Sequence, residues 1–193
     1  MTAPTIEAPV TVEDTATPAS EFTLTPQGMQ DALARVAAIP DDRYIERIKA
    51  ATRLNQETVR LDKIAQSVRD NAAMSAKIDF GIAPVRVYTD ALKCSRSLYS
   101  RMCQRANRKS PLKAIVKHTG RKIKAGDKAA ILDVAAEYAE AVRVYDEVGK
   151  AARSIRDETG RAAMEGEYGV PLSNADFARM CEFSTARASQ IRK

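Results

Sequence analysis

The stretch that decides the fold is the C-terminal end of the chain, Leu172–Lys193, which reads LSNADFARMCEFSTARASQIRK. Ser173 and Ser184 are each suited to cap a helix, because a serine hydroxyl accepts a hydrogen bond from an otherwise unpaired N–H of the first turn. The apolar residues between and after these caps are spaced to close a small core: Phe177, Cys181, Phe183, Ala188 and Ile191. The stretch therefore predicts two short helices joined by a tight turn, with the second lying across the first.

The charge of the chain is unevenly distributed. The net charge of the 193 residues is +6, but residues 1–40 carry −4 and the remainder carries +10. A basic body suits a polyanionic partner, although many soluble proteins are also basic. The most basic segment is Arg101–Lys128, which contains ten Lys or Arg residues and His118 against Asp127 as its one acid.

The cysteines do not predict a metal site. Cys94, Cys103 and Cys181 are odd in number, lack CxxC spacing and have one histidine in the chain to join them. These are too few ligands for zinc, and buried thiols in a reducing cytoplasm are the favoured interpretation. The sequence contains no apolar run of transmembrane length and no secretory signal. We therefore expect a cytoplasmic, nucleoid-associated protein without a membrane partner or a cofactor.

Four segments follow from the composition. Residues 1–24 are rich in Thr, Pro, Ala and Glu and predict a disordered acidic tail, which either solubilises the protein or competes with DNA for a basic surface. Residues 25–107 form a first helical unit that begins with a cap at Thr25 and Pro26 in the first helical position. Residues 108–127 read as a basic linker that contains a short helix near Leu112–His118. Residues 128–193 form a second helical unit.

Each unit contains a long helix with an apolar stripe. The first begins after a cap at Asp41 or Asp42 and extends to the mid-seventies, and the second covers about 128–165. The two stripes recur at spacings of three and four residues: Ile48, Ala51, Leu54, Thr58, Leu61, Ala65, Val68 and Ala72, then Ala135, Tyr138, Ala141, Tyr145, Val148, Ala152, Ile155 and Thr159. This pattern is typical of helices packed lengthwise, as in a coiled coil. We expect an antiparallel intramolecular spine; the same stripes would also suit a homodimer.

The two units read as a tandem repeat. A shift of 87 residues superimposes the stripes and places Ser67-Val68-Arg69-Asp70 on Ser154-Ile155-Arg156-Asp157. After the next loop the shift becomes 89, which places Tyr88 on Phe177, Cys94 on Phe183 and Ser95 on Ser184. Each unit is therefore expected to be a long helix, a loop and two short helices, and the fold class is all-α.

Both pairs of short helices resemble the helix-turn-helix superfamily of bacterial and phage DNA-binding proteins. The residues that carry the resemblance are Ala178, Cys181, Phe183, Ser184, Ala188 and Ile191 in one pair, and Thr89, Leu92, Cys94, Ser95, Tyr99 and Met102 in the other. The usual turn glycine is replaced by Glu182 and Lys93, which would be strained if the turn needs a positive φ.

The resemblance implies that the second helix of each pair reads base edges in the major groove. The implied base-contacting residues are Arg96, Ser97, Ser100, Arg101, Thr185, Ala186, Arg187, Ser189 and Gln190. The implied phosphate-contacting residues are Ser95, Arg105, Arg108, Lys109, Lys113, Arg121, Lys122, Lys124 and Ser184. Tyr99, Met102, Ala188 and Ile191 are expected to face the core. The alternatives that involve no DNA contact are an αα corner for either pair and a solvated loop for the basic linker.

The expected function is sequence-specific binding of double-stranded DNA by a repressor-like transcription regulator with two helix-turn-helix units. A first alternative is a structural or assembly protein, such as a phage-packaging or partition component, that oligomerises through its long helices. A second is a coiled-coil adaptor that binds no nucleic acid. No phosphate-binding GxxxxGK[ST] loop, catalytic Ser/His/Asp set or metal cluster is recognisable, so the sequence does not suggest an enzyme.

Overall fold

The computed structural model describes residues 25–81, 85–124 and 126–192, and the disordered tail expected for residues 1–24 lies outside them. The described residues form helices and no strands, which confirms the all-α class. A single 3-10 turn, Asp41–Arg43, precedes the second helix. The α-helices are α1 Pro26–Ala37, α2 Tyr44–Ile78, α3 Val85–Ala91, α4 Arg96–Arg105, α5 Pro111–Thr119, α6 Lys128–Glu165, α7 Asn174–Cys181 and α8 Thr185–Arg192.

The two long helices, α2 and α6, pack against each other along their lengths and run antiparallel. Ile48, near the start of α2, shares a core with Met164, near the end of α6. Val68, near the other end of α2, shares a core with Ile131. The stripe of α2 is buried throughout, and that of α6 is buried or half-buried throughout, so the sequence prediction of a spine is confirmed. At 35 residues, α2 is about 50 Å long at 1.5 Å per residue.

A glycine allows close approach near the middle of this spine. A Cβ atom added to Gly149 of α6 would lie 2.9 Å from the Oγ1 atom of Thr58 of α2. Such a distance is shorter than carbon–oxygen van der Waals contact, so a larger residue would push the long helices apart. Thr58 turns its own hydroxyl to the carbonyl of Asn55, 2.8 Å away, which satisfies this buried polar group.

The short helices form two pairs at opposite ends of the spine. We name α3 and α4 the N-terminal pair, and α7 and α8 the C-terminal pair. In each pair the second helix packs on the long helix that precedes it in the chain: α4 on α2, and α8 on α6. The first helix packs on the opposite long helix: α3 on α6, and α7 on α2. Each pair is therefore held by both long helices.

The remaining helices, α1 and α5, repeat this crossed packing. α1 lies against α6, with Met29 and Ala32 fully buried. α5 lies against α2, with Ile115 fully buried. The sequence predicts a linker over residues 108–127, yet α5 belongs to the same core as the ends of α2 and α6. Sequence gave little indication of this role, because the apolar face of a nine-residue helix is short and α5 is surrounded by lysines.

Candidate nucleic-acid interface

The C-terminal pair begins and turns at the residues that the sequence indicates. The Ser173 hydroxyl accepts a hydrogen bond from the backbone N–H of Asp176 at 3.1 Å, which caps α7. The helix ends at Glu182, whose φ of +57° places it in the left-handed region. The N–H of Phe183 then donates to the carbonyl of Ala178 at 3.1 Å, a bond that closes a helix C-terminus around a left-handed residue.

The N-terminal pair makes the same turn with a different sequence. Lys93 has a φ of +47°, and the N–H of Cys94 donates to the carbonyl of Thr89 at 3.0 Å. The Ser95 hydroxyl accepts from the N–H of Leu98 at 3.2 Å and caps α4. Ser184 caps α8 with a bond of 3.3 Å from the N–H of Arg187. The turn bonds and second-helix caps thus fall at positions 89 residues apart.

The two left-handed residues are also the ones that reach the opposite long helix. Gln56 of α2 donates a hydrogen bond of 2.9 Å to the carboxylate of Glu182. On the other side, the pKa of Glu140 of α6 is lowered, chiefly by its hydrogen bond with Arg143 and further by the positive charge of Lys93. A glycine would adopt these turns without strain, but at position 182 it could not accept the hydrogen bond from Gln56.

Aromatic and aliphatic side chains fix the angle between the helices of each pair. In the N-terminal pair, the rings of Tyr88 and Tyr99 stack with their centroids 5.0 Å apart. In the C-terminal pair, Phe177 meets Phe183 edge to face at 5.4 Å. The second-helix residues expected to face the core are all buried, which confirms that part of the prediction: Tyr99, Met102, Ala188 and Ile191.

The opposite face of each second helix is turned to solvent. In α4 the four residues implied to contact bases are exposed: Arg96, Ser97, Ser100 and Arg101. In α8 four of the five are exposed: Thr185, Ala186, Arg187 and Gln190. The fifth, Ser189, is half-buried and accepts a hydrogen bond of 3.1 Å from the side chain of Asn174.

The residues implied to contact phosphate divide into two groups. Most are exposed, either at a helix cap or in the basic segment around α5: Ser95, Ser184, Arg108, Lys109, Lys113, Lys122 and Lys124. The other two already hold carboxylates within the protein. Arg105 donates to Asp70 at 2.7 Å, and Arg121 donates to Glu137 at 2.6 and 3.0 Å. In both cases the hydrogen bond to the carboxylate raises the pKa of the arginine.

Asp70 and Asp157 have a role that the sequence analysis did not assign. Asp70, 3% exposed, accepts hydrogen bonds from Arg69 and from Arg105 at the end of α4. Asp157 accepts from Arg156, and its second oxygen lies 3.9 Å from Arg187 of α8. Each acid therefore links a long helix to the second helix of its own pair. The signal was the repeated Arg-Asp in the two matched tetrapeptides.

The two pairs differ in charge. The described segment 85–124, which contains the N-terminal pair and α5, carries twelve Lys or Arg residues against Asp90 as its one acid. Residues 172–192, which contain the C-terminal pair, carry three Arg against Asp176 and Glu182. Between α2, the end of α4 and α5 lies a polar cleft of about 410 Å³, lined by Arg105, Lys113 and Lys117. Positive potential is therefore concentrated on one end of the spine.

Within the described part of the chain, no helix has the length and hydropathy that crossing a bilayer requires. The same residues include no cluster of three or more His, Cys, Asp or Glu side chains placed to hold a metal ion. No protein-family model, curated protein sequence or solved structure matches the chain. An assignment of function therefore depends on the geometry and chemistry of the chain itself.

Proposed function

We propose that the chain binds double-stranded DNA in a sequence-specific manner through two helix-turn-helix units, as a repressor-like transcription regulator. The observation that carries the proposal is the matched turn geometry of the N-terminal and C-terminal pairs. Both have a left-handed residue at the turn, a serine cap on the second helix, buried inner anchors and an exposed outer face. An exposed second helix with a serine cap is suited to enter a major groove.

The crossed packing supports a two-fold relation between the units. In both, a short helix packs on the opposite long helix, and the second helix of the pair packs on its own long helix. Two equivalent antiparallel helices are related by a two-fold axis perpendicular to the plane that contains them. Such an axis puts equivalent surfaces on the same side of that plane. The two exposed recognition faces would then point towards one DNA duplex.

The spacing of the two pairs also suits one duplex. The C-terminal pair contacts α2 at Thr52, whose hydroxyl lies 3.6 Å from the Cys181 sulfur. The N-terminal pair contacts α2 at Asp70, which accepts a hydrogen bond of 2.7 Å from Arg105 of α4. These attachment points are 18 residues apart, or about 27 Å along the helix. Major grooves on one face of B-DNA recur at about 34 Å.

Because the two recognition faces differ in sequence, the proposed half-sites differ as well. α4 presents Arg96 and Arg101, and arginine bonds guanine bidentately. α8 presents Gln190 and Arg187, and glutamine is suited to adenine. A single chain would therefore bind a non-palindromic site, with one helix-turn-helix unit on each half-site.

An electrophoretic shift assay with a random-sequence duplex pool and a salt titration tests this function. If the five exposed cations that the resemblance assigns to phosphate, Arg108, Lys109, Lys113, Lys122 and Lys124, make those contacts, the slope of log K against log salt should be about −4.5. Selection from the pool should then enrich two unlike half-sites about one turn apart. Absence of a shift, or a shift that does not respond to salt, would refute DNA binding.

The alternative of a DNA-binding assembly protein has one supporting observation. Ile78, Val85 and Val87, around the start of the N-terminal pair, are exposed although they are large and apolar. Exposed apolar patches often mark contacts between proteins. The stripes of α2 and α6 are occupied within the chain, so oligomers would have to use other surfaces. Native mass spectrometry separates the alternatives, since a ring or a large oligomer favours assembly and a monomer favours regulation.

A further inference from the structure

A cavity of about 630 Å³ lies between the N-terminal pair and α6. Leu92, Cys94, Leu98 and Met102 line it from the pair, and Ala139 lines it from α6. Arg69 of α2 also lines it. This volume is within the range of small-molecule sites, and the lining combines apolar walls with a few charged groups.

The matching place in the C-terminal pair shows what could occupy this cavity. There the guanidinium of Arg156 lies over the ring of Phe183, 5.2 Å from its centroid. Arg156 matches Arg69, and Phe183 matches Cys94. The corresponding cavity on the C-terminal side is smaller, about 380 Å³, and neither Arg156 nor Phe183 lines it. The N-terminal pair has the arginine but lacks the ring, because a thiol replaces the aromatic side chain.

Arg69 is prepared for a planar partner. It is 6% exposed, and two of its nitrogens donate to Asp70 at 3.0 and 2.9 Å. Those hydrogen bonds are directed within the guanidinium plane, so they hold its orientation, and Arg69 is among the residues that line the cavity. Desolvated cation–π contacts of this kind are the stronger ones.

The charges around the cavity favour an anionic ligand. Arg69 is paired with Asp70, and Arg143 is paired with Glu140. Lys93 is the further charged residue of the lining, and it is exposed at the turn. A carboxylate on the ligand could therefore approach the Lys93 ammonium while its ring enters beside Cys94.

We propose that this cavity binds an aromatic carboxylate, whose ring takes the place that Phe183 occupies in the C-terminal pair. The bound ring packs between Cys94 and Ala139 and stacks on Arg69. Because the cavity lies between the N-terminal pair and α6, an occupied cavity alters how the N-terminal pair packs on the spine. Binding at the cavity does not require DNA, so it can be tested even if the proposed function is wrong.

Titration of the full chain with 2-naphthoate provides the test, with naphthoate fluorescence as the signal, since the chain has no tryptophan. We expect saturable binding of one molecule per chain. The uncharged 2-naphthamide should bind about twofold to fivefold more weakly, because it loses the contact with Lys93. The saturated analogue decalin-2-carboxylate should bind about threefold to tenfold more weakly, because it has no π-face for Arg69.

Two substitutions fill the cavity from opposite walls. Cys94→Phe restores the ring of the C-terminal pair, and Ala139→Leu extends the wall of α6; both should weaken naphthoate binding about tenfold or more, because the space is taken. Ala129→Leu, at an exposed position of α6, is a matched control that should bind as the unaltered chain does. If Cys94→Phe does not fold, as judged by circular dichroism, Ala139→Leu gives the decisive comparison.

The reciprocal change, Phe183→Cys, should leave the stoichiometry at one, because Glu182 stands where Lys93 does and Thr52 stands where Ala139 does. In the unaltered chain, naphthoate should also slow modification of Cys94 by a thiol reagent, since Cys103 and Cys181 are buried. The proposal is overturned if naphthoate does not bind saturably. It is equally overturned if both filled variants bind naphthoate with unaltered affinity.

Discussion

The N-terminal and C-terminal pairs share one backbone design and differ in how they are charged and filled. Both turn through a left-handed non-glycine residue with the same closing hydrogen bond. The N-terminal pair has a strongly basic surrounding and an open cavity beside Cys94, whereas the C-terminal pair is nearly neutral and filled by Phe183. If the chain binds DNA as proposed, the N-terminal pair would supply most of the affinity and the C-terminal pair mainly selectivity.

The largest expected difference concerns the acids that tie each pair to its long helix. Asp70→Ala leaves Arg69 buried without its carboxylate and frees Arg105, which should cost about 3–5 kcal/mol of unfolding free energy. Asp157→Ala should cost less, about 1–2 kcal/mol, because the Asp157 side chain is 24% exposed against 4% for that of Asp70. Urea unfolding followed by circular dichroism measures both.

If Asp70→Ala and Asp157→Ala lower the unfolding free energy equally, the difference in burial between the two carboxylates has no effect on stability. A matched control is Asp62→Ala on α2, a half-buried carboxylate that accepts a hydrogen bond from Gln66. Burial raises the pKa of Asp62, so its charged form is disfavoured in the fold. Its removal should therefore cost little at neutral pH.

The second difference concerns DNA affinity. Arg101→Ala in α4 should weaken binding to the selected duplex by about 1–3 kcal/mol, or roughly fivefold to 150-fold. Arg187→Ala should have a smaller effect, because the Arg187 guanidinium lies 3.9 Å from Asp157 and 3.4 Å from Gln190, both of which compete with a base. Fluorescence anisotropy with labelled duplex gives both values.

Arg60→Ala is the control for these two substitutions, since Arg60 is exposed on α2 and hydrogen-bonded to Glu57. It should leave DNA affinity unchanged. If Arg101→Ala and Arg60→Ala behave alike, α4 does not read bases, and the αα-corner interpretation of the N-terminal pair gains support.

The features that could be predicted from the sequence are those that depend on residues close together in one helix. The stripes of α2 and α6, the caps at Ser95 and Ser173 and the buried anchors of α4 and α8 follow from spacing along one helix, and the structure confirms them. The crossed packing depends on how the two long helices meet, which no local pattern encodes. For the same reason, the bond between Arg105 and Asp70 and the core position of Ile115 were not foreseen.

The cavity beside Cys94 also could not be predicted from the sequence. The repeat alignment already set Cys94 against Phe183, but a smaller residue predicts a cavity only if its neighbours do not close in. The structure shows that Ala139 on the facing helix is small as well. The matching residue on the other side, Thr52, instead reaches Cys181 with its hydroxyl. The combined loss of volume could be recognised only once the facing helix was known.

The third difference is how closely the first helix of each pair approaches a residue of the long helix before it, which is Gly160 of α6 in the case of Phe177 on α7. A Cβ atom added to Gly160 would lie 2.2 Å from the ring of Phe177, which is fully buried. Gly160→Ala should therefore destabilise the protein by about 1–2 kcal/mol, although the same change in an open helix stabilises it. The matching position in the first unit already carries an alanine, Ala73, which belongs to the same core cluster as Tyr88.

Ala73→Gly should cost about 1 kcal/mol through helix propensity alone. Thermal unfolding of double variants distinguishes steric crowding at Gly160 from lost helix propensity at Ala73. In each double variant, the substitution is combined with a replacement of the aromatic residue of its own pair, Phe177 or Tyr88. Phe177→Leu should rescue Gly160→Ala in part, because the smaller side chain leaves room for the methyl group. A stabilising Gly160→Ala would mean that α7 does not sit this close to α6.

The smallest expected difference is at the two turns. Lys93→Gly relieves a left-handed conformation at the cost of one favourable charge near Glu140, and should stabilise the protein by about 0.5–1 kcal/mol. Glu182→Gly relieves the same strain but also removes the hydrogen bond from Gln56, so its net effect should be close to zero. In the background of Gln56→Ala, where that bond is already lost, Glu182→Gly should become as stabilising as Lys93→Gly. If the two glycine variants differ by the same amount in both backgrounds, the contact with Gln56 is not what offsets the strain at Glu182.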